Sequence, residues 1–262
     1  MLLSDKKFFL LDMDGTIYLD ENLFDGALEF LNRITEKGGK YLFVTNNSSK
    51  SVDVYVNKVN RLGINATADN FFTSTDATVH YIKQNHEDVT FYCVGTESFV
   101  RQLRENGIKA VTELCEEIGG VLLSNDQELS FKKLNDACYL LSKGVDVYIA
   151  TNPDWVCPTA FGYVPDCGSF ALMIEKACAR APEFIGKPKP DILLLALSKY
   201  GFTKEESVMI GDRVYTDIAS GYNAGIDTCF VLSGEGTRED AMNSDTKPTY
   251  IFDSVKDIIN EI

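Results

Sequence analysis

The fold of this chain is decided by Phe8–Thr16, which reads FFLLDMDGT. The four leading apolar residues predict a buried strand, and the glycine after the second aspartate predicts a tight turn beyond it. Asp12 and Asp14 lie at the carboxyl end of this strand, where open α/β sheets place their chemistry. Because residues i and i+2 of an extended chain point the same way, the two carboxylates are expected to converge on one substrate. The alternative is a strand that ends in an ordinary Asp-rich turn.

Composition and charge exclude several classes of function. The chain has 262 residues, of which 45% are apolar and 24% charged, enough for one large domain or for a core with an insertion. Its 25 basic and 39 acidic residues give a net charge of −14, which argues against nucleic-acid and anionic-membrane partners. An anionic substrate must therefore be attracted by a local positive site.

Targeting segments and metal-binding cysteines are not expected. The sequence lacks the basic segment followed by a long apolar segment that would predict a signal peptide. No stretch approaches the roughly 18 apolar residues of a membrane span. Seven scattered cysteines without a Cys-x-x-Cys pair favour reduced, buried thiols. His80 and His86 do not pair with cysteine at zinc-site spacing, and surface helix positions are expected for both. The sequence predicts a soluble, cytoplasmic protein.

Strand-like and helix-like segments alternate along the chain, which predicts a largely parallel sheet. A short polar-tipped flap is expected over residues 17–22, directly after the first strand. The later predicted strands are 41–44, 70–74, 90–94, 120–123, 145–150, 208–210 and 228–231. The predicted helices are 27–36, 52–62, 77–84, 97–106, 131–143, 170–179, 191–200, 215–223 and 255–262.

Three further polar sites accompany the first. Thr45 and Asn46 follow the strand over 41–44, where a hydroxyl and backbone N–H groups can grip a phosphate oxygen, although such residues also cap helices. Lys187 lies in a segment whose prolines restrict the backbone, which suits an ammonium that neutralises a phosphoryl group; a Pro-rich surface loop is the alternative. Asp212 ends another strand and Asp217 follows in the next helix, where aspartate is also common as a helix-start residue.

In this order, Asp12/Asp14, Thr45, Lys187 and Asp212/Asp217 resemble the motifs of the haloacid dehalogenase-like phosphohydrolase superfamily. The resemblance spans nearly the whole chain. Within the superfamily the chain looks like the NagD and p-nitrophenyl phosphatase-like subgroup, because of the strings VTNNS at Val44–Ser48 and TNPD at Thr151–Asp154.

Spacing predicts where a second domain is inserted. Only 28 residues separate Thr16 from Thr45, too few for a helical domain, whereas 141 separate Thr45 from Lys187. The resemblance implies a Rossmann-like parallel-sheet core of residues 1–78 and 184–262, with a smaller α/β cap domain of residues 79–183 inserted in it. Closure of this cap is expected to exclude water and to complete the pocket.

The resemblance also implies a reaction, the hydrolysis of small phosphomonoesters through an aspartyl-phosphate. Sugar phosphates and nucleoside monophosphates are the expected substrates, with p-nitrophenyl phosphate in vitro. Asp12 is the implied nucleophile and Asp14 the acid and base. Thr45, Asn46 and Lys187 are implied to hold the phosphate.

Clustered carboxylates beside a phosphate require a cation. At ~4 Å and an effective dielectric near 20, repulsion between two such charges reaches several kcal/mol. Mg²⁺ is the natural choice, as a hard ion that prefers oxygen ligands. By resemblance, Asp12 and Asp212 ligate it through their side chains and Asp14 through its backbone carbonyl, while Asp217 orients metal-bound water.

The loop at 151–155 is the candidate for substrate specificity. Asn152 and Asp154 can hydrogen-bond sugar or nucleoside hydroxyls, and Trp155 can wall the pocket. The alternative is a Pro-containing turn with Trp155 in the core. Ser233–Gly236 is interpreted as a loop and not as a phosphate cradle, because it is short and lacks a Lys-Ser/Thr ending.

Two other functions are kept as alternatives. A sugar phosphomutase shares the aspartyl-phosphate, but its relatives usually carry a helical cap between the first two motifs. A non-catalytic phosphometabolite-binding protein is disfavoured because both members of the acid pair are present. The expected partner is a small phosphorylated metabolite. Its identity is not determined by the sequence, and whether the chain forms a homodimer through the cap is left open.

Overall fold

Two parallel sheets with flanking helices make up the protein, in a computed structural model that describes residues 2–159 and 161–262. The strands in chain order are β1 (Phe8–Leu11), β2 (Tyr18–Leu19), β3 (Asn22–Leu23), β4 (Lys40–Thr45), β5 (Phe71–Thr73), β6 (Thr90–Val94), β7 (Ala110–Val111), β8 (Ile118–Leu123), β9 (Val147–Ala150), β10 (Val156–Thr159), β11 (Gly162–Pro165), β12 (Glu183–Phe184), β13 (Ser207–Gly211), β14 (Asp227–Val231) and β15 (Tyr250–Phe252). The helices are α1 (Ala27–Glu36), α2 (Val52–Arg61), α3 (Ser74–Asn85), α4 (Glu97–Glu105), α5 (Phe131–Lys143), α6 (Cys167–Cys178), α7 (Asp191–Tyr200), α8 (Ala219–Ala224), α9 (Arg238–Asn243) and α10 (Val255–Ile258).

The first sheet brings together the strands that carry the predicted motifs. Its order is β15-β14-β13-β1-β4-β5, and β1 pairs in parallel with both β4 and β13. All four residues of β1 are buried, as expected for a parallel strand covered on both faces. The carboxyl ends of β4, β1 and β13 therefore lie side by side. This confirms the predicted α/β class with a parallel-sheet core.

The second sheet has the order β12-β9-β8-β6-β7, with every neighbouring pair parallel. Helix α5 packs on this sheet and has a capping residue at each end. The Ser130 side chain accepts a hydrogen bond from the backbone N–H of Lys133, and Gly144 ends the helix in the left-handed conformation.

The chain divides into two compact units. The first comprises Met1–Thr45, Val52–Phe72 and Lys187–Ile262, and the second comprises Asn46–Ser51 and Thr73–Gly186. Each has its own apolar cluster, around Phe43 and Ile210 in the first and around Tyr92 and Leu123 in the second. These units assign 46–51, 73–78 and 184–186 differently from the sequence-based domains 1–78, 79–183 and 184–262, which stay a prediction.

Several local elements differ from the sequence-based expectation. The helix predicted over 215–223 is a π-helical turn, Val214–Ile218, that continues into α8. Strands β10 and β11 form an antiparallel pair that was not expected, since Pro158 and Pro165 argue against strands. A two-stranded ribbon tolerates them because its outer edges need no partner. Within the described residues, no helix has the length and apolar character needed to cross a membrane.

Candidate active site

A buried lysine links the ends of two strands in the first unit. Asp12 follows β1 directly, and its Oδ1 accepts a hydrogen bond from Lys187 Nζ at 2.7 Å. The same ammonium donates to the backbone carbonyl of Val44 in β4 at 2.9 Å and pairs with Asp217 Oδ1 at 2.7 Å. Lys187 is only 1% exposed, so it holds two carboxylates and a strand end in fixed positions.

Asp212 is the third carboxylate in the cluster with Asp12 and Asp217. It follows β13, and oxygens of Asp12, Asp212 and Asp217 all lie within 4.8 Å of one another. Backbone N–H groups hold two of these side chains, since Glu235 N donates to Asp212 Oδ2 at 2.7 Å and Arg213 N donates to Asp217 Oδ2 at 3.0 Å. The three predicted aspartates thus converge, and their negative charges outnumber the single ammonium among them.

Burial and the close approach of these charges shift the pKa values of Asp12, Asp212 and Lys187. Burial raises the pKa of Asp12 well above its usual value, against the lowering effect of Lys187, and the charges of Asp217 and Asp212 raise it further. Burial and the Asp217 carboxylate raise the pKa of Asp212 to about 7. For Lys187, burial acts to lower the pKa, but Asp12 and Asp217 outweigh it and raise the pKa above its usual value. The cluster has a surplus of negative charge that a cation would relieve.

The donor set fits a hard divalent cation. Three carboxylates offer only oxygen ligands, which Mg²⁺ prefers, and no cysteine or histidine belongs to the group. The surrounding loops approach Asp212 so closely that a Cβ at Gly15 or Gly234 would collide with its carboxylate. Gly15 also has a φ of +90°, which other residues rarely adopt.

Asp14 lies beside this group without joining it through its carboxylate. The turn that carries it is held by the Met13 carbonyl, which accepts hydrogen bonds from the backbone N–H groups of Thr16, Ile17 and Tyr18. Its side chain is 28% exposed, with Oδ1 3.9 Å from Lys58 Nζ. The acid predicted from the sequence is therefore accessible, whereas the predicted nucleophile, Asp12, is largely buried.

The two predicted phosphate-binding residues at the end of β4, Thr45 and Asn46, differ in their surroundings. Thr45 is the last residue of β4 and is buried beside the end of β1. Asn46 belongs to the second unit, where its Nδ2 donates to Asp154 Oδ2 at 2.8 Å and its carbonyl accepts from Ser74 Oγ at 2.6 Å.

The predicted specificity residues lie in a buried network of the second unit. Asn152 Nδ2 donates to Asp154 Oδ2 at 2.8 Å and to Asp166 Oδ1 at 3.2 Å. Asn152 and Asp154 are both buried, so Asp154 receives bonds from Asn46 and Asn152 at one oxygen. Trp155 is 53% exposed, which shows that the core alternative for this residue is wrong.

The sequence reasoning missed the contribution of Ser233–Gly236. Glu235 N and Gly236 N donate to the Asp212 side chain and carbonyl, respectively, and Ser233 Oγ donates to the Gly15 carbonyl at 2.7 Å. This segment is a loop, as interpreted, but it holds the site together. The two glycines were its only signal, and a short glycine-rich string does not reveal what it contacts.

Comparisons with known proteins identify the family. Residues 9–109 match the model of the haloacid dehalogenase-like hydrolases, and residues 184–258 match a second model described as HAD-hydrolase-like. An acid sugar phosphatase of Staphylococcus aureus is 34% identical over 256 residues, which cover 98% of each chain.

Solved structures agree with the sequence relatives. A 4-nitrophenylphosphatase from Thermotoga maritima has a TM-score of 0.92 at 37% identity, covering 99% of this chain and 98% of that one. A glycerol phosphate phosphatase from Mycobacterium tuberculosis in complex with magnesium has a TM-score of 0.91 at 26% identity, covering 98% and 77%. The chain belongs to the haloacid dehalogenase-like hydrolases, as a phosphatase of the NagD and p-nitrophenyl phosphatase-like group.

Proposed function

We propose that this phosphatase hydrolyses small phosphomonoesters, sugar phosphates among them, in a Mg²⁺-dependent reaction through an aspartyl-phosphate. The observation that carries the proposal is the convergence of Asp12, Asp212 and Asp217 on Lys187, with Asp14 beside them. A carboxylate nucleophile divides phosphomonoester hydrolysis into two easier transfers.

In the first transfer, a carboxylate oxygen of Asp12 attacks the phosphorus in line with the leaving group. The new bond joins Asp12 to phosphorus while the bond from phosphorus to the ester oxygen breaks. Asp14 gives its proton to that oxygen, so that an alcohol leaves and not an alkoxide. Lys187, 2.7 Å from Asp12 Oδ1, keeps the nucleophile oriented and stabilises the charge that develops on the phosphoryl group.

In the second transfer, water attacks the phosphorus of the aspartyl-phosphate. Asp14, now a carboxylate, accepts a proton from this water, and the bond between Asp12 and phosphorus breaks. Inorganic phosphate leaves and both aspartates return to their starting states. The exposure of Asp14 supports this role, because the same oxygen must exchange protons with an alcohol and then with water.

Asp12 and Asp212 would hold Mg²⁺ through their side chains and Asp14 through its carbonyl, with Asp217 placed to orient water. When bound, the ion neutralises the charge between the nucleophile and the phosphate. Thr45, Asn46 and Lys187 are the proposed phosphate-binding residues. The raised pKa values of Asp12 and Asp212 support the need for such a cation.

The relatives support a proposal for the substrate class. The S. aureus relative is an acid sugar phosphatase, and the M. tuberculosis structure is that of a glycerol phosphate phosphatase. Both names support phosphate esters of polyhydroxylated compounds as the substrate class. Asn152 and Asp154 are the proposed specificity residues. Their bonds to one another and to Asn46 favour an effect exerted through Asn46.

A metabolite screen tests the proposal. The purified protein is given sugar phosphates, glycerol phosphate, nucleoside monophosphates and p-nitrophenyl phosphate, with Mg²⁺ and with a chelator. We expect inorganic phosphate release that requires the metal. A phosphomutase would instead convert one sugar phosphate into another without release, and a binding protein would give neither product. Either result contradicts the proposal.

A further inference from the structure

We propose that Lys58 is a positioning residue for Asp14, holding its carboxyl group in the orientation from which it gives a proton to the leaving group. The inference rests on the proposed function, in which Asp14 is the proton donor. It concerns a lysine that belongs to none of the four motifs and comes from a different element, helix α2.

Lys58 is itself held firmly. Its Nζ lies 3.8 Å from the centroid of the Tyr18 ring, a distance at which the ring face attracts an ammonium. Tyr18 is fully buried, and its hydroxyl donates to the sulfur of Met13 at 3.7 Å. The Lys58 side chain is 12% exposed. The ammonium is therefore fixed between a rigid aromatic face and the carboxylate of Asp14.

The contact between Lys58 and Asp14 Oδ1 is an ion pair at a distance longer than a hydrogen bond. The distance from Nζ to Oδ1 is 3.9 Å, longer than a hydrogen bond but short enough for strong attraction. The Met13 turn fixes the backbone of Asp14, and the ammonium of Lys58 adds an electrostatic restraint on its partly exposed side chain. The ammonium attracts this carboxyl group from one side and favours the rotamers that face it.

The leaving group provides a specific readout for this role. During aspartyl-phosphate formation the proton moves from Asp14 to the departing ester oxygen as the phosphorus–oxygen bond breaks. Phenol is a weaker acid than p-nitrophenol, so phenoxide leaves poorly unless it is protonated, whereas p-nitrophenoxide leaves readily. Phenyl phosphate and p-nitrophenyl phosphate have nearly the same shape. Loss of acid positioning must therefore harm the first substrate more than the second, and kcat/KM reports this step.

The decisive variant is Lys58→Met, assayed with Mg²⁺ on both aryl phosphates. We expect kcat/KM to fall about tenfold for phenyl phosphate and less than about twofold for p-nitrophenyl phosphate, a part of the roughly 10²–10⁴-fold effect of a general acid. Lys58→Arg keeps the charge and should restore most of the phenyl phosphate rate. Lys40 provides a matched control, because its Nζ lies 4.2 Å from the centroid of the Tyr200 ring. Lys40→Met should leave both rates unchanged.

A double-mutant cycle shows whether Lys58 acts through Asp14. Asparagine cannot donate the acid proton, so Lys58→Met should have no further effect in an Asp14→Asn background. Equal losses on both substrates, or a higher KM alone, would identify Lys58 as a substrate-binding residue and overturn the inference. Additive effects in the double variant would do the same. Circular dichroism checks folding, and Lys58→Gln carries the same test where the methionine variant does not fold.

Failure of the inference is distinguishable from failure of the proposed function. Should Asp14→Asn lose phenyl phosphate turnover while Lys58→Met does not, the acid assignment stands and only the role of Lys58 is wrong. Should Asp14→Asn keep normal rates on both substrates, the acid assignment itself is wrong.

Discussion

Each unit contains a lysine with the same local arrangement, and only one of them lies in the candidate site. Lys187 Nζ binds Asp12 at 2.7 Å and the Val44 carbonyl at 2.9 Å in the first unit. Lys133 Nζ binds Asp126 at 2.8 Å and the Gly95 carbonyl at 2.9 Å in the second. Both pairs join an ammonium to a carboxylate and to a backbone carbonyl at or beside the end of a strand.

The difference between them is the balance of charge. Lys133 faces one fully buried carboxylate, so this pair is neutral. Lys187 pairs with two carboxylates, with a third within 4.8 Å of them. A balanced buried pair serves the fold, whereas a surplus of negative charge is costly unless a ligand is present to use it. Charge imbalance, and not burial, therefore distinguishes the candidate site from a structural ion pair.

The largest expected effect comes from removing Asp12, the proposed nucleophile. Asp12→Asn should lower kcat by at least about 10⁴-fold, as expected for a residue that forms the covalent intermediate. It should not lower the thermal midpoint, because it removes one of the crowded carboxylates. Phosphate-release assays and thermal denaturation check both statements. Asp126→Asn is the matched change in the balanced pair and should do the opposite, keeping the rate and losing stability. An Asp12→Asn variant that is active but less stable would contradict the distinction between the Asp12 cluster and the balanced pair of Asp126 and Lys133.

The two lysines give the second test. Lys187→Met should reduce kcat/KM by about 10²–10³-fold, the range expected for one charge-stabilising group. Lys133→Met should leave kcat/KM within about twofold and lower the free energy of unfolding by about 3 kcal/mol, because it removes the ion-pair partner of the buried Asp126. Steady-state kinetics and denaturant titration measure the two effects. Similar kinetic losses in both variants would contradict the distinction.

A smaller effect is expected from crowding Asp212. A Cβ at Gly234 would collide with the Asp212 carboxylate, so Gly234→Ala should displace this side chain and reduce kcat/KM about tenfold, within the range expected for a misplaced catalytic group. The loss should be partly recovered at higher Mg²⁺ concentration, since a displaced ligand weakens binding of the ion. Gly119→Ala, in strand β8 of the second unit, is the control and should leave the Mg²⁺ dependence of the rate unchanged.

The smallest effect concerns stability. Mg²⁺ at about a hundredfold above its dissociation constant should stabilise the protein by about 2.7 kcal/mol, because it binds the folded state. Thermal denaturation with Mg²⁺ and with a chelator measures the shift. Asp212→Asn should abolish the shift, whereas Asp126→Asn should keep it. A shift of the same size in Asp212→Asn would place the ion elsewhere.

The sequence predicted the parallel sheet and the convergence of Asp12, Asp212 and Asp217 because both follow from local patterns. A four-residue apolar run such as Phe8–Leu11 can be recognised without its partners, and the carboxylates that end such strands meet wherever the strands are neighbours. The contribution of Lys58 was not predictable in this way. A lysine on a helix gives no signal of its partner, and its contact with Tyr18 depends on how α2 packs on the Asp14 turn.

The surroundings of Asn152 and Asp154 were also beyond sequence reasoning. Polar residues after a strand were expected to be exposed to substrate, but here they satisfy one another. Which hydrogen bonds a polar side chain makes depends on tertiary neighbours such as Asp166 and Asn46, more than ten positions away. The π-helical turn at Val214–Ile218 was missed for a related reason, since the sequence period does not distinguish it from an α-helix.

The order of strands in the first sheet has a consequence for how the protein is made. β1 lies between β4 and β13, and its partner residues in β13 begin at Ser207. The strands of the second sheet all lie between Thr90 and Phe184, so all of them are translated before β13. Asp12 emerges early but meets Lys187 and Asp212 only afterwards. A growing polypeptide therefore cannot assemble its reactive centre until the whole second sheet, β13 and Asp217 have been translated.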